Sequence, residues 1–405
     1  MRLLCLLVTL SAGAAAAAEF PTFKVQEIDP HVGNICYAVT TADVNNDGKP
    51  DVVAVTEDAV VWFANPGWEK HTILKGVTAR DNVCIQAHDI DGDGQVDFAL
   101  GAGWQPTNTQ SGGTLQWLKR TKDADAPWQV IPIAAEPTLH RIRWGDVRGD
   151  GKKQLIVAPL QGRGTKGPNW GEGNGVRVLA YSIPEHPEKD PWPVEVAADS
   201  LHTTHNLQAV DFDGDGLDEV VVAGWEGVFV LDRGTDGHWS KTQLGAGNQD
   251  SRPNKGSSEV KVGHLADGRR YIATIEPWHG FQVVVYTPPR SGKGLWERSV
   301  IDEPLQWGHA VWCADLDGDG DEELIIGQRD KSADPKRTPQ GPGVFVYDPK
   351  PGGGPLAFTR HVIEDGGVGC EDALAADLDG DGRPEIIAGG RSTHNVRIYW
   401  NLKGR

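Results

Sequence analysis

Short apolar runs recur along the chain in groups of four, separated by turns rich in glycine and aspartate. Each group predicts four β-strands, which we name A to D in chain order. Strand A ends at an acidic turn, strand B follows at once, strand C is apolar and aromatic, and strand D mostly opens on an aromatic residue. Short runs rich in β-branched and aromatic residues are typical of strands. The pattern therefore predicts an all-β protein.

The acidic turn is the most regular part of this repeat. Its clearest copy reads Asp315-Leu316-Asp317-Gly318-Asp319-Gly320 and closes with Glu323. Copies begin at positions 43, 89, 146, 211, 264, 315 and 377, at intervals of 46 to 65 residues. Intervals of this length match the blades of a propeller with insertions. The sequence predicts a seven-bladed β-propeller over residues 19–405.

The strand count predicts how the ring closes. There are seven A, seven B and seven C strands, but only six D strands follow a C strand. The remaining D strand is Phe23 to Ile28, near the N-terminus. We expect it to pair with the last C strand, Val396 to Trp400, because this pairing completes the seventh blade and removes free sheet edges.

Carboxylates at positions 1, 3, 5 and 9 of the turn supply the hard oxygen ligands that Ca²⁺ prefers. Five copies keep this pattern and predict structural calcium. The copy at 146 has Arg148 and Gln154 at ligand positions, and the copy at 264 has lost the site. The predicted calcium ligands are Asp43, Asn45, Asp47, Asp51, Asp89, Asp91, Asp93, Asp97, Asp211, Asp213, Asp215, Glu219, Asp315, Asp317, Asp319, Glu323, Asp377, Asp379, Asp381 and Glu385.

The N-terminal residues 1–18 predict an export signal, with Arg2 before an apolar stretch and an alanine run. The apolar stretch is too short for a stable membrane span. We therefore expect an exported protein, periplasmic or secreted. The net charge of −18 is accounted for by the acidic turns, and no basic stripe suggests a nucleic-acid partner. The oligomeric state stays open.

Two of the four cysteines that follow the predicted export signal occupy equivalent positions in the first and last repeats. Cys36 and Cys370 each lie seven residues before their acidic turn. Because a closed ring brings these repeats together, a disulfide and two buried free thiols are both compatible with the sequence.

One position of strand A concentrates chemically reactive residues. The position six residues before each turn holds Tyr37, Val83, His140, His205, Ser258, His309 and Glu371. Strand A is innermost in a propeller, so these side chains are expected at the mouth of the central channel, opposite the acidic turns. Imidazoles and a carboxylate there can hold Zn²⁺ or another divalent transition metal, or transfer protons near neutral pH. Alternatively, the histidines only bridge neighbouring blades and fix the ring.

We expect His140, His205, His309, Glu371 and Tyr37 to be catalytic, with the three histidines also holding any transition metal. The loops between strands B and C are long and variable on the same face, which is where function usually lies. Their arginines can bind hydroxyls or a carboxylate, and their tryptophans can stack on sugar rings. The expected substrate-binding residues are His202, Glu259, Arg163, Trp225, Trp278, His279, Arg329 and Arg391.

The acidic turn, followed by an apolar strand and glycine, resembles the FG-GAP/VCBS repeats of integrin-like propellers. The segments His202-Thr203-Thr204-His205-Asn206 and Trp307-Gly308-His309-Ala310 are similar to the propeller of the aldos-2-ulose dehydratase family and related bacterial sugar lyases. This resemblance implies elimination of water or a glycosidic group from a keto-sugar, anhydro-sugar or uronate. His205 is the expected base, and Glu371 or Tyr37 would serve the departing hydroxyl. The alternative is a non-catalytic propeller that binds glycan or protein.

Overall fold

The computed structural model describes residues 20–303, 305–332, 341–350, 352 and 355–403. Within these ranges the chain forms seven antiparallel sheets of four strands each. No helix in the described ranges has the length and apolarity needed to cross a membrane. The predicted export signal, residues 1–18, lies outside the described residues.

Each sheet is one blade, and its four strands run from the centre of the ring outwards. The innermost strands are β2 (Cys36–Ala42), β6 (Cys84–His88), β10 (Leu139–Gly145), β14 (Asn206–Val210), β18 (Val260–His264), β22 (Gly308–Ala314) and β26 (Cys370–Ala376). The second strands are β3 (Asp51–Thr56), β7 (Asp97–Ala102), β11 (Gln154–Pro159), β15 (Glu219–Gly224), β19 (Arg270–Glu276), β23 (Glu323–Gln328) and β27 (Glu385–Gly390). The third strands are β4 (Ala59–Ala64), β8 (Thr114–Lys119), β12 (Val176–Ser182), β16 (Gly227–Arg233), β20 (Gln282–Thr287), β24 (Gly343–Lys350) and β28 (Val396–Asn401). The outer strands are β5 (Glu69–Lys75), β9 (Gln129–Ala135), β13 (Val194–Leu201), β17 (Trp239–Gly245), β21 (Glu297–Asp302), β25 (Ala357–Asp365) and β1 (Phe23–Asp29).

The two ends of the chain meet in the seventh blade. Strand β1 pairs antiparallel with β28, with Phe23 opposite Asn401 and Val25 opposite Tyr399. Each innermost strand contacts the innermost strands of both neighbouring blades, including β2 with β26. The seven sheets therefore form a closed seven-bladed β-propeller around a central channel.

The hydrophobic core lies between blades rather than in the channel. The second strand β3 is buried along its whole length because its two faces pack on the neighbouring blades. At the closure, Val52 and Phe63 of blade 1 pack in one cluster with Ile387 and Ile398 of blade 7. Burial of apolar surface at each blade interface is the main force that holds the ring together.

The four cysteines of the described chain are free thiols. Cys36 and Cys370 are fully buried at neighbouring blade interfaces, and each sits against a glycine. A Cβ atom added at Gly389 would lie 2.7 Å from Sγ of Cys36, and one at Gly327 would lie 2.4 Å from Sγ of Cys370. These thiols therefore act as packing groups that need a glycine opposite them.

Candidate active site and acidic turns

A β-bulge presents the reactive residue in four of the seven blades. The pairing between the first and second strands skips one residue, and the skipped residues are Tyr37, His140, His309 and Glu371. The residue skipped in a bulge is free of the ladder, and its side chain is re-aimed. His205 occupies the same position immediately before strand β14 begins. The repeat thus places these side chains at one end of the channel.

A second backbone feature recurs near this position in five blades, two of which also carry the bulge. The residue two positions before the aligned residue adopts a left-handed conformation, which is unfavourable for side chains with a Cβ. Such strain persists only where the surrounding structure enforces it, and it is common at functional sites. The φ angles are 68° for Asp81, 58° for Thr138, 48° for Thr203, 74° for Gly256 and 52° for Trp307.

These side chains surround a cavity of about 200 Å³, which we call the active cavity. Nine of the residues expected at the site line it: Tyr37, His140, His205, Trp278, His279, His309, Arg329, Glu371 and Arg391. Further residues of the cavity wall were not among the expected site residues. Trp104 and Pro106 come from the loop after β7, Leu160 follows β11, and Trp307 precedes His309 by two residues. In the sequence, these residues could have been recognised from their positions at the starts of B–C loops and, for Trp307, beside a bulge.

Three histidines converge inside the active cavity. The Nε2 atoms of His205 and His279 lie 2.6 Å apart, and the ring centroid of His309 lies 5.1 Å from that of His205. One nitrogen of each ring falls within 4.8 Å of the others, a spacing that can hold one metal ion. Burial lowers the pKa of all three imidazoles well below the usual range, and neighbouring positive groups add to this effect. The neutral rings keep the lone pairs that metal binding requires.

The far side of two of these rings is fixed by an acceptor. Nδ1 of His205 lies 2.6 Å from Oε1 of Glu259, and Nδ1 of His309 donates to the carbonyl oxygen of Glu371 at 2.6 Å. A carboxylate or carbonyl behind a histidine orients the other nitrogen and is typical of metal-binding histidines. Nε2 of His205 faces His279, whereas its Nδ1 forms no hydrogen bond of acceptable geometry with the described residues despite the short distance to Glu259.

His140 packs beside His205, with ring centroids 4.5 Å apart, but its two nitrogens face other partners. Its Nδ1 donates to the carbonyl oxygen of His205 at 2.9 Å, and its Nε2 lies 3.3 Å from Nη1 of Arg141. The expected set of His140, His205 and His309 is thus replaced by His205, His279 and His309 in the structure. His279 lies on the short loop after β19, where strand alignment alone gave it no place in the ring.

Glu371 lies beside His309 in the active cavity, with its Oε1 3.7 Å from Nε2 of that histidine. Its Oε1 accepts a hydrogen bond from Nη1 of Arg391 at 2.6 Å. Its Oε2 is buried without a hydrogen-bond partner among the described residues, although Nη1 of Arg329 lies 3.8 Å away. Burial raises the pKa of this carboxyl, while Arg391 and Arg329 oppose the shift. Glu371 therefore offers one uncommitted carboxylate oxygen beside the metal-binding rings.

The two arginines and Tyr37 are held in place by further contacts. The guanidinium of Arg329 lies 4.6 Å from the ring centroid of Trp307, and that of Arg391 lies 5.5 Å from the ring of Tyr37. The hydroxyl of Tyr37 donates to Oδ1 of Asp81 at 3.0 Å. These contacts fix the arginines that hold Glu371 and leave positive charge at the cavity wall.

Four of the expected substrate-binding residues do not line the active cavity. Glu259 lies behind His205 and supports it. Nδ1 of His202 pairs with Oε1 of Glu226 at 2.6 Å, and Nη2 of Arg163 pairs with Oε2 of Glu136 at 2.7 Å. Trp225 is buried with its ring against Gly171. The expectation that these side chains contact substrate directly receives no support from their positions.

The acidic turns lie at the other ends of the innermost strands. In four turns the carboxylates at positions 1, 3 and 9 converge to within 4.8 Å. The carboxylates at position 5 are not part of these groups. The converging groups are Asp89, Asp91 and Asp97; Asp211, Asp213 and Glu219; Asp315, Asp317 and Glu323; and Asp377, Asp379 and Glu385.

The closing carboxylates are buried beneath these turns, where their charge is costly without a cation. Burial raises the pKa of Asp97 to about 7, that of Glu219 to about 7, and that of Glu323 to about 9. A divalent cation between the three carboxylates would offset this cost, so the turns fit Ca²⁺. In the third turn, Nη2 of Arg148 bonds Oε1 of Glu195 at 2.5 Å and points out of the turn.

Part of the chain is similar in sequence to aldos-2-ulose dehydratase. Residues 112–289 match the family model described as the beta-propeller domain of aldos-2-ulose dehydratase, and residues 43–100 match an FG-GAP-like repeat. Aldos-2-ulose dehydratase of Phanerodontia chrysosporium is 28% identical over 257 residues. That alignment covers 58% of this chain and 27% of the fungal protein, so the similarity concerns only part of the relative.

Two solved structures are similar to this chain at low sequence identity. The structure of BBS1N in complex with ARL6DN has a TM-score of 0.56 at 12% identity and covers 96% of this chain and 99% of that chain. A lectin of Agrocybe aegerita that recognises non-reducing terminal N-acetylglucosamine has a TM-score of 0.49 at 13% identity, covering 94% and 85% of the two chains. The first similarity supports the propeller fold alone.

Proposed function

We propose that this propeller is a carbohydrate dehydratase or lyase that acts on a keto-sugar, anhydro-sugar or uronate in the active cavity. The observation that carries the proposal is the uncommitted Oε2 of buried Glu371 beside three converging histidines. A cavity of about 200 Å³ is smaller than drug-sized pockets and suits a single sugar ring. Similarity to the aldos-2-ulose dehydratase propeller supports the same class of chemistry.

Glu371 is the general base in this proposal. Its Oε2 takes a proton from the carbon next to the substrate carbonyl, and the C–H electron pair forms the new carbon–carbon double bond. The C–O bond at the following carbon breaks, and the carboxyl returns the proton to the departing oxygen. Water leaves from a hydroxyl substrate, and an alcohol leaves from a glycosidic one. One carboxyl thus serves both steps without a net gain or loss of protons.

Positive charge at the wall supports this chemistry. Arg391 holds Oε1 of Glu371, and Nη1 of Arg329 lies 3.8 Å from Oε2. Fixed positive groups near a developing enolate oxygen stabilise it without reorganisation. Arg329 is stacked on Trp307 and is therefore held in this position.

We further propose that His205, His279 and His309 hold a divalent transition metal. The three rings are neutral, His205 and His309 are buried and His279 is half-buried. Acceptors behind two of the rings match the support that metal-binding histidines receive. Nδ1 of His279 is buried without a hydrogen-bond partner in the described residues, which leaves room for adjustment of this ring. When bound, such an ion would act as a Lewis acid toward a carbonyl oxygen of the substrate.

Ca²⁺ in the acidic turns and export of the protein complete the proposal. The converging carboxylates of four turns support the calcium sites. The apolar and alanine-rich residues 1–18 support export to a compartment with abundant calcium.

The test compares the activity of two variants on a panel of keto-sugars, anhydro-sugars and uronates. The absorbance of the unsaturated product measures turnover. Glu371→Gln keeps the shape of the side chain but removes the base, so kcat should fall by about a hundredfold or more with an unchanged Tm. His202→Ala removes a histidine outside the active cavity and should keep the wild-type kcat. An active Glu371→Gln variant would rule out this assignment of the base.

A further inference from the structure

A second cleft lies beside the active cavity, between the loop after β7 and the loop after β11. It has a volume of about 470 Å³ and is more open than the active cavity. We call it the loop cleft. It is lined by Thr107, Asn108, Thr109, Gln110, Thr165, Lys166, Gly167 and Trp170.

The same two loops contribute residues to the loop cleft and to the active cavity. Pro106 lines the active cavity and Thr107, the next residue, lines the loop cleft. The loop after β11 also contributes to both cavities, because Leu160 lines the active cavity and Thr165 lines the loop cleft. Consecutive segments of the same two loops therefore line the active cavity and the loop cleft.

The floor of the loop cleft is fixed by bonds between the two loops. The backbone N–H of Gly164 donates to the carbonyl oxygen of Thr109 at 3.1 Å. The hydroxyl of Thr109 donates to the carbonyl oxygen of Thr165 at 2.8 Å, and both threonines are buried, with 4% exposure each. A preformed floor reduces the entropy lost when a ligand binds.

The chemistry of the lining suits a saccharide. The indole of Trp170 lies against Gly167, where an added Cβ would be 2.9 Å from Cζ2, so the lack of a side chain at this glycine makes room for the ring at the wall of the cleft. The side chains of Thr107, Gln110 and Lys166 form no hydrogen bond with other described residues and line the cleft. An aromatic surface packs on the C–H face of a pyranose, and uncommitted hydroxyl, amide and ammonium groups can bind its hydroxyls.

We propose that the loop cleft binds a second sugar unit of a chain whose reacting end occupies the active cavity. The substrate is then an oligosaccharide or a polysaccharide rather than a free monosaccharide. This inference rests on the proposed function for the reacting end, but the binding of the second unit depends only on the loop cleft.

Kinetics give the first test. For a trisaccharide and a monosaccharide with the same reacting sugar, the wild-type protein should show the lower KM with the trisaccharide. Trp170→Ala should raise the KM of the trisaccharide about tenfold and leave the kinetics of the monosaccharide unchanged. Equal KM values for the two substrates in the wild-type protein would contradict the inference.

Direct binding separates this inference from the proposed chemistry. Isothermal titration with cellotriose, maltotriose and trigalacturonate, each beside its monosaccharide, should show tighter binding of at least one trisaccharide. Trp170→Ala should lose that difference. Phe281→Ala, which truncates a partly exposed aromatic residue on the same face outside both cavities, should keep it. The inference fails if no trisaccharide binds better than its monosaccharide or if Trp170→Ala binds like the wild type. Trisaccharide binding without turnover of any sugar would refute the proposed function alone.

Discussion

Nδ1 of His205 lies 2.6 Å from Oε1 of Glu259, and both side chains are about 1% exposed. His205 belongs to the fourth blade and Glu259 to the fifth, so the pair crosses a blade interface. The carboxylate directs the other ring nitrogen of His205 to His279 and thereby sets the geometry of the three converging histidines. His205 is accordingly a metal-binding residue in our account rather than the base.

This geometry makes a prediction about metal content. His279→Ala should lose a bound transition metal because it removes one of the three converging nitrogens. His140→Ala is the matched control, since His140 lies in the same cavity but bonds the carbonyl of His205 and faces Arg141. Elemental analysis of protein purified from zinc-supplemented medium measures both. Retention of zinc by His279→Ala together with its loss from His140→Ala would favour the set predicted from the sequence.

Arg391 should set the pH dependence of the proposed reaction. Its guanidinium opposes the rise that burial causes in the pKa of Glu371. Arg391→Gln removes that opposition, so the pKa of Glu371 rises further and a higher pH is needed to ionise the base. The acid limb of the kcat/KM profile should therefore move to higher pH. An unmoved acid limb would indicate that another group is the base.

Calcium should stabilise the ring at the acidic turns. Asp317→Asn should reduce the calcium stoichiometry by about one ion and lower the Tm, because Asp317 belongs to a converging group. Asp267→Asn alters the degenerate turn, where Asp267 pairs with Arg269, and should leave the calcium content unchanged. Elemental analysis and calorimetry check both variants. Equal calcium contents in the two variants would contradict the assignment.

In the calcium-free protein, the buried carboxyl of Glu323 should make stability decrease as the pH rises. Burial raises the pKa of Glu323 from 4.5 to about 9, so the folded state holds this proton more tightly than the unfolded chain. The contribution of Glu323 to stability is then greatest below about 4.5 and falls as pH rises toward 9. Added Ca²⁺ should abolish this slope because it favours the ionised carboxylates. A calcium-free Tm that rises across this window would contradict the expectation.

Lys261 should be a destabilising residue in the central channel. Burial lowers its pKa from 10.5 to about 7, and Arg143 adds to the effect while Glu259 and Asp372 oppose it. Its Nζ lies 4.9 Å from the ring centroid of Trp312. Because the unfolded chain binds this proton more tightly, the stability of the calcium-loaded protein, in which the Glu323 slope is absent, should rise with pH between about 7 and 10.5.

Replacement of this lysine tests that account. Lys261→Met keeps the length of the side chain, and it should raise the free energy of unfolding at pH 7 by on the order of a few kcal/mol. It should also remove the slope between neutral and alkaline pH. Denaturant unfolding at several pH values measures both effects, and a variant less stable than the wild type would show that the charge is needed.

The sequence was sufficient for much of the architecture because the repeat is regular. Strand β1, which was expected to complete the seventh blade, pairs with the final strand β28. The position six residues before each turn coincides with a bulge in four blades. Both follow from the two-residue period of strands and from the constant length of the acidic turn.

The side chains on loops could not be placed in this way. His279 enters the active cavity from a loop with no constant length, whereas Arg163 is held by Glu136 outside it. Trp104 and Trp307 became recognisable only when the blades were folded against each other. Loop residues depend on contacts between blades, and periodicity within a blade contains no information about those contacts.

The most direct test of the proposed elimination chemistry is the mass spectrum and ultraviolet absorbance of products formed by the protein loaded with Ca²⁺ and Zn²⁺. On a panel of keto-sugars, anhydro-sugars and oligouronates, we expect at least one unsaturated product, formed by loss of water or by chain cleavage. The Glu371→Gln variant should form none. Complete absence of unsaturated product from the loaded wild-type protein across the panel would contradict the account and favour a propeller that only binds its ligand.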